Sequence, residues 1–160
     1  LQIDFNIELI KHLNLRTAYK YFDISTGYLS GNFQRPLQAK HRFFGNLEYE
    51  TDTTKKGKQW KFDYTFNWLG KQQLPITASN PPEDRLPEFS PSFGVMNAQI
   101  TRVFSSVFEV YIGVENIGNY QQNKAILGND NPFGPNFDTS IVYAPIFGQM
   151  YYAGLRFKIK

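Results

Sequence analysis

The sequence predicts an all-β fold: an antiparallel, up-and-down sheet of about seven strands that forms part of a transmembrane β-barrel. Three observations favour it. Apolar and polar residues alternate with a period of two in segment after segment. Aromatic residues make up 17% of the 160 residues, with 15 Phe and 10 Tyr. Short turns alternate with long loops, which is typical of barrels that cross a membrane.

The first segment, residues 1–9, shows the alternation clearly. One face carries Leu1, Ile3, Phe5, Ile7 and Leu9, and the other carries Gln2, Asp4, Asn6 and Glu8. A helix would mix these two sets, whereas a strand separates them. A tight reversal at Ile10–His12 leads into a second segment at residues 13–21, and a third follows at residues 42–50.

The fourth segment places five aromatic residues on one face, namely Trp60, Phe62, Tyr64, Phe66 and Trp68. So many rings would overfill the interior of a small soluble barrel, whereas lipid sets no such volume limit. Trp60 and Trp68 are separated by ~26 Å along an extended strand. With a tilt of about 40° this becomes about 20 Å, close to the spacing of the two aromatic girdles of a membrane barrel. We therefore predict that both Trp residues lie in the girdles.

The remaining segments cover residues 93–104, residues 107–116, and residues 147 to the end. The fifth is ambiguous, because each of its faces mixes polar and apolar residues. We expect the face with Met96 to meet lipid and the face with Asn97 to meet the lumen. Arg102 then lies on the lipid side near a short turn, where its charge costs little because it can reach the interface.

The connections divide into two classes. The short ones are Ile10–His12, Thr51–Lys58 and Ser105–Ser106, and the long ones are Ser25–Gln38, Lys71–Ser92 and Ile117–Ile146. The long loops, rich in Gly, Pro, Asn, Asp and Ser, are expected on the outer side. An open sheet edge is not tolerated in lipid. We therefore expect residues 1–160 to be the C-terminal part of one barrel domain whose earlier strands are absent here.

Few residues carry catalytic or metal-binding chemistry. The chain has no Cys and only two His, and its net charge of +3 is scattered. These features favour neither a metal site, nor a cofactor, nor nucleic acid, nor an enzyme. The aromatic residues of the long loops could either contact a small ligand or pack the loops against each other. They are Tyr28, Phe33, Phe89, Tyr120, Phe133, Phe137 and Tyr143.

The last third of the chain also carries a family resemblance. The stretch Val114–Tyr120, with Glu115-Asn116 at its strand end, resembles a motif of TonB-dependent outer-membrane receptors. Residues 131–157 are similar to the C-terminal region of such receptors from Bacteroidetes-type bacteria. The ending Phe157-Lys158-Ile159-Lys160 departs from the terminal aromatic residue that is usual in outer-membrane proteins.

This resemblance implies a 22-stranded barrel in the bacterial outer membrane, closed by a plug domain that is absent from this chain. It implies active uptake of a scarce nutrient, such as a metal chelate, cobalamin or a glycan, energised by the periplasmic TonB protein. The implied partners are membrane lipid, the rest of the barrel with its plug, TonB and an unidentified small ligand. Two alternatives stay open: another outer-membrane barrel (a passive pore or an enzyme), and a soluble lipid-binding β-barrel.

Overall fold

The computed structural model describes residues 1–28 and 31–159, and of Tyr28 only the backbone. This part of the chain contains nine strands and one short 3-10 helix, Pro82–Asp84. The strands are β1 (Gln2–Ile10), β2 (Leu13–Tyr21), β3 (Ser25–Tyr28), β4 (Gly31–Gln34), β5 (His41–Glu50), β6 (Gln59–Leu69), β7 (Phe93–Val103), β8 (Phe108–Glu115) and β9 (Met150–Phe157).

Seven of these strands form one antiparallel sheet in the order β1-β2-β5-β6-β7-β8-β9. Each strand therefore pairs with its neighbour in the chain, apart from the small β3–β4 hairpin that is inserted in the first long loop. The predicted all-β, antiparallel class and the seven main strands are confirmed. The sheet is open, with β1 and β9 as its two edges, so this chain does not close a barrel by itself.

The strand register makes the apolar face continuous across the sheet. Leu47 of β5 lies opposite Leu15 of β2 on one side and Tyr64 of β6 on the other. In β7, Met96 lies opposite Phe66, and the rest of its face follows. The Met96 face of this strand therefore lies on the aromatic side of the sheet, and its contact with lipid stays a prediction.

The two faces of the sheet are unequally exposed, and in an unusual sense. In the inner strands β5 and β6, the apolar side chains of Leu47 and Phe62 are 37% and 39% exposed. Their polar neighbours Glu48 and Asp63, on the opposite face, are less exposed and only half-buried. A sheet in a soluble protein covers its apolar face and exposes its polar face. Here the polar face is the better covered one.

Two expectations about strand limits and loops were wrong. The last strand begins at Met150 rather than Phe147, because hydrogen bonds from the preceding loop hold this segment: the Asn116 side chain donates to the Phe147 carbonyl (3.2 Å), and the Gln149 N–H donates to the Asn119 side chain (2.9 Å). The first long loop, expected to be irregular, contains the β3–β4 hairpin. Both strands of that hairpin have only four residues, too few for a clear alternation.

The buried apolar side chains of the structure lie mainly at the long-loop end of the sheet. The buried apolar residues of the described chain are Ala39, Leu74, Phe93, Leu127, Ile141 and Ala144. All belong to the long connections, except Phe93, which is the first residue of β7. The chain therefore buries its apolar core between loops, while the aromatic stripe of the sheet stays exposed.

Two glycines on the polar face make room for tyrosine rings on the neighbouring strand. Gly113 of β8 lies opposite Tyr152 of β9, and Tyr111 lies opposite Gly154. A Cβ placed on either glycine would overlap the phenol ring across from it. The two pairs therefore interlock β8 and β9, since each tyrosine ring lies over the backbone of the glycine on the opposite strand. The Tyr152 hydroxyl then donates to the Gln99 side chain of β7 at 3.1 Å.

We expect Gly113→Ala to destabilise the sheet by about 1–3 kcal/mol, because the added methyl group displaces the Tyr152 ring. Gly45→Ala is the matched control, since a Cβ on that strand glycine meets its nearest atom at 3.4 Å, an ordinary contact. Urea unfolding of the two variants of the intact protein measures the difference. Equal midpoints for both variants would contradict the interlock.

Candidate functional site

The described residues of the three long connections pack together into one unit, which we call the loop cap (residues 22–28, 31–40, 70–92 and 116–149). Ala39 of the first connection pairs with Gln72 of the second in a β-bridge. The Gln72 side chain donates to the Tyr143 carbonyl of the third connection at 2.9 Å. Since Gln72 is buried, this bond joins the second and third connections away from water.

Gln122 organises the third connection from within. Its side-chain amide donates to the Ile141 carbonyl (2.7 Å), and its side-chain oxygen accepts from the N–H groups of Tyr143 (2.9 Å) and Ala144 (3.2 Å). Gln122 is buried, so these bonds satisfy polar groups that water does not reach. One side chain thus fixes two segments of the connection, about twenty residues apart in the chain.

Asn116 connects the sheet to the loop cap. It directly follows β8 and has a φ of 52°, a conformation that Asn tolerates better than most residues. Its backbone N–H donates to the Asn97 side chain of β7 at 2.9 Å. Its side chain accepts from the Tyr120 N–H (3.0 Å) and donates to the Tyr120 carbonyl (2.7 Å). Asn116 therefore ends the strand and holds the first turn of the loop.

Gln72 and Gln122 were not predicted as important positions, and Asn116 was singled out only as part of the family motif at a strand end. A buried Gln in a loop has no period or spacing that distinguishes it from an exposed one. For Asn116, the sequence did contain a signal. Asn116 and Asn119 flank a glycine in a segment that leaves a strand, and such residues favour tight turns with positive φ.

Two of the candidate ligand-contacting aromatics, Tyr120 and Tyr143, take part in packing the loop cap. Tyr120 stacks on Phe93 of β7, with ring centroids 4.9 Å apart and planes 5° from parallel. Tyr143 is half-buried; burial, and to a lesser extent the nearby Tyr120, raises the pKa of its phenol above the usual value. For this pair the structure favours the alternative that the aromatics fold the loops on each other.

The other predicted ligand contacts remain accessible. Phe133 is completely exposed, and Phe33, Phe89 and Phe137 each expose about two fifths of their surface (42%, 39% and 39%). The side chain of Tyr28 lies outside the described part of the chain, although its backbone belongs to β3. The loop cap thus presents several aromatic surfaces to solvent.

On the polar face of the sheet, acids and bases are paired across strands. Lys61 of β6 binds Glu50 of β5 at 2.5 Å, and Arg156 of β9 forms an ion pair with Glu109 of β8. Asn46 of β5 donates to Asp63 of β6 at 2.9 Å. Partly exposed pairs of this kind add little to stability. Their effect is to keep the polar face hydrated and close to neutral.

The two Trp residues of the predicted girdles lie near opposite ends of β6, on the apolar face. Trp60, near the short-turn end, is 42% exposed, and the Arg102 guanidinium lies 4.7 Å from the centre of its ring. Trp68, near the loop cap, lies opposite Phe43 and is half-buried. Arg102 thus occupies the apolar face where a cation–π contact holds it beside an exposed ring. The position of these rings in a membrane stays a prediction.

Neither histidine lies in a cluster of metal-ligating side chains. In residues 1–28 and 31–159, no group of three or more His, Cys, Asp and Glu residues is arranged to hold a metal ion. His12 contacts Asp52 in the short-turn region (2.8 Å), whereas His41 contacts the Tyr19 hydroxyl at the loop-cap end (2.6 Å). Asp52 also binds Lys11, and these two bonds lower the pKa of its carboxyl, the one from Lys11 most.

Comparison of the chain with protein-family models, with curated proteins and with solved structures finds no match. Within the described residues, no helix is both long enough and apolar enough to cross a membrane. The family resemblance of residues 114–157 therefore stays an expectation.

We expect Gln122→Leu to loosen the third connection, because the Ile141 carbonyl and the Ala144 N–H, both buried, lose their partner at about 1–3 kcal/mol each, and the half-buried Tyr143 N–H loses its partner too. Limited proteolysis of the intact protein would then cut within residues 117–149 much faster than in the wild type. Gln121→Leu is the control, since Gln121 is an exposed neighbour. Equal cleavage rates in the two variants would contradict the role assigned to Gln122.

Proposed function

We propose that this chain forms part of the barrel wall and outer loops of an outer-membrane active-transport receptor, which takes up a scarce nutrient with energy supplied through periplasmic TonB. The observation that carries the proposal is the reversed exposure of the sheet. Its aromatic face is the more exposed one, and its polar face the better covered one.

The aromatic face is hard to reconcile with water as its surroundings. Phe62, Tyr64 and Ile100 lie next to one another in the sheet, and each exposes about two fifths of its surface. Contiguous apolar patches of more than a few hundred Å² are rare on soluble monomers. Against lipid tails, the same surface carries no such cost. The face therefore supports a membrane barrel over a soluble lipid-binding barrel, which would hold its apolar side chains inside.

The polar face suits the inside of such a barrel. A curved wall crowds the side chains on its inner surface and separates those on its outer surface, so we infer that the polar face is the inner one. Its ion pairs, such as Lys61 with Glu50, and its amides, such as Gln99, can contact water or a plug domain. Interiors of large outer-membrane barrels are polar in this way.

The two edges of the sheet place a condition on the proposal. β1 and β9 each leave one row of backbone N–H and C=O groups without a strand partner among the described residues. Such unpaired groups cost several kcal/mol each in lipid. The proposal therefore requires further strands of the same barrel beside both edges, as the 22-stranded wall implied by the resemblance would provide.

The loop cap favours a receptor over a passive pore. Three long connections packed by buried amides make a defined surface at one end of the wall, on which Phe33, Phe133 and Phe137 stay accessible. A metal chelate, cobalamin or a glycan could stack against these rings, since stacking on an aromatic face needs no particular charge. The catalytic sets that an outer-membrane enzyme needs were not found in the sequence.

The test compares the host, which expresses the intact protein, with a strain of the same host from which the gene has been deleted. We expect the protein in the outer-membrane fraction, and we expect uptake of one labelled probe from a panel of ferric chelates, cobalamin and oligosaccharides to depend on the gene. That uptake should stop when a protonophore collapses the proton-motive force.

Two results would overturn the proposal. A protein that stays in the aqueous fraction as a stable monomer without detergent would not be a membrane barrel. A protein in the outer membrane whose gene-dependent uptake persists undiminished in the protonophore would be a passive pore.

A further inference from the structure

We propose that a pocket at the loop-cap end of the apolar face binds the phosphate group of an anionic lipid headgroup. This rim pocket has a volume of about 470 Å³, and its lining includes Lys40, His41, Trp68, Lys71 and Phe89. The inference rests on the proposed membrane orientation of the sheet, and it goes beyond that proposal by assigning a lipid site to named residues.

The position of the rim pocket follows from the strand pairing. Trp68 lies opposite Phe43 on the apolar face, and the ladder continues past it, with the Gly70 N–H donating to the His41 carbonyl at 2.9 Å. His41 packs on the Tyr19 and Tyr21 rings of β2. The pocket thus begins where the apolar face meets the loop cap, beside a row of aromatic rings.

The charges that face the rim pocket favour an anion. Lys40 and Lys71 both line it, and Lys71 is exposed. The acid that faces them is Asp23, whose carboxylate lies 3.2 Å from the Lys40 ammonium. An ammonium has three N–H donors, so Lys40 can bind Asp23 and still donate to a second anion. The remaining titratable group, His41, is held by the Tyr19 hydroxyl at 2.6 Å.

The apolar residues around the rim pocket favour a lipid over a soluble anion. Trp68 and Phe89 give it aromatic walls, and directly below it Phe43 and Phe66 continue the apolar face, with ring centroids 6.3 Å apart. A headgroup phosphate between the two lysines would leave its acyl chains along these rings. Basic pockets at membrane interfaces bind lipid headgroups by this combination of charge and apolar contact.

The test uses the intact protein in a neutral detergent, titrated with diphosphorylated lipid A or with zwitterionic phosphatidylcholine, and native mass spectrometry to count bound lipid. We expect the wild type to retain lipid A and to release phosphatidylcholine. The double variant Lys40→Gln/Lys71→Gln should bind lipid A between about 5-fold and 30-fold more weakly, since each lysine near a membrane surface contributes about 1 kcal/mol.

The matched control is Lys55→Gln/Lys56→Gln, which removes the same charge from the short turn between β5 and β6. It should bind lipid A like the wild type. If both double variants lost lipid A binding equally, the loss would come from the change in net charge, and the proposed site would be wrong. Inorganic phosphate that displaces lipid A from the wild type at matched concentration would also overturn the site, because the pocket would then be a free-anion site.

The two proposals fail separately. If the protein is in the outer membrane and takes up its nutrient, but Lys40→Gln/Lys71→Gln leaves lipid A binding unchanged, only the lipid site is wrong. If the protein is absent from the outer membrane, the proposed function fails first.

Discussion

The register of the central strands is the constraint on which the rest of the structure depends. Side chains alternate between the faces of a strand, so a slip of one residue between β5 and β6 would exchange the aromatic and polar faces of the whole sheet beyond that point. The observed pairing puts Tyr64 between Leu47 and Ala98, and Asp63 between Glu48 and Gln99. Each face therefore keeps one character across these strands, apart from Arg102 on the apolar face beside Trp60, and the proposed membrane orientation requires this separation.

The same register determines where the loop cap is built. With antiparallel neighbours in chain order, all long connections leave the sheet at one end, where they bury Leu74, Leu127 and Ile141 among themselves. Apart from Phe93, the described sheet residues form no buried apolar core. Hydrogen bonds therefore help apolar packing to hold the loops at this end of the sheet. Asn116 connects the sheet to the third connection, and Gln122 holds that connection together next to loops that present accessible aromatic rings.

Features that depend on interactions between residues close in sequence could be predicted, and those that depend on residues distant in sequence could not. The alternation at residues 60–68 is local and strong, so the strand and its two faces were predicted correctly. In β7 the register puts Met96 on the same side of the sheet as Phe66, as predicted, while the contact of that side with lipid stays a prediction. The segment Phe147–Gln149 was wrongly predicted as strand. The bonds that hold it in the loop run to Asn116 and Asn119, which are too distant in sequence for a local pattern to reveal them. For the same reason, the sequence left two roles open for Tyr120, ligand contact or loop packing, since its contact with Phe93 is also distant in sequence.

The central claim is that the aromatic face meets lipid, and spin labels on single cysteines test it most directly, because this chain has no cysteine of its own. Labels would replace Phe62 and Tyr64 on one face, and Asp63 and Thr65 on the other, in the intact protein reconstituted into bilayers. We expect the first two labels to collide mainly with oxygen, which concentrates in lipid, and the other two mainly with a water-soluble nickel chelate. Equal nickel access at all four positions, or the reverse alternation, would contradict the account.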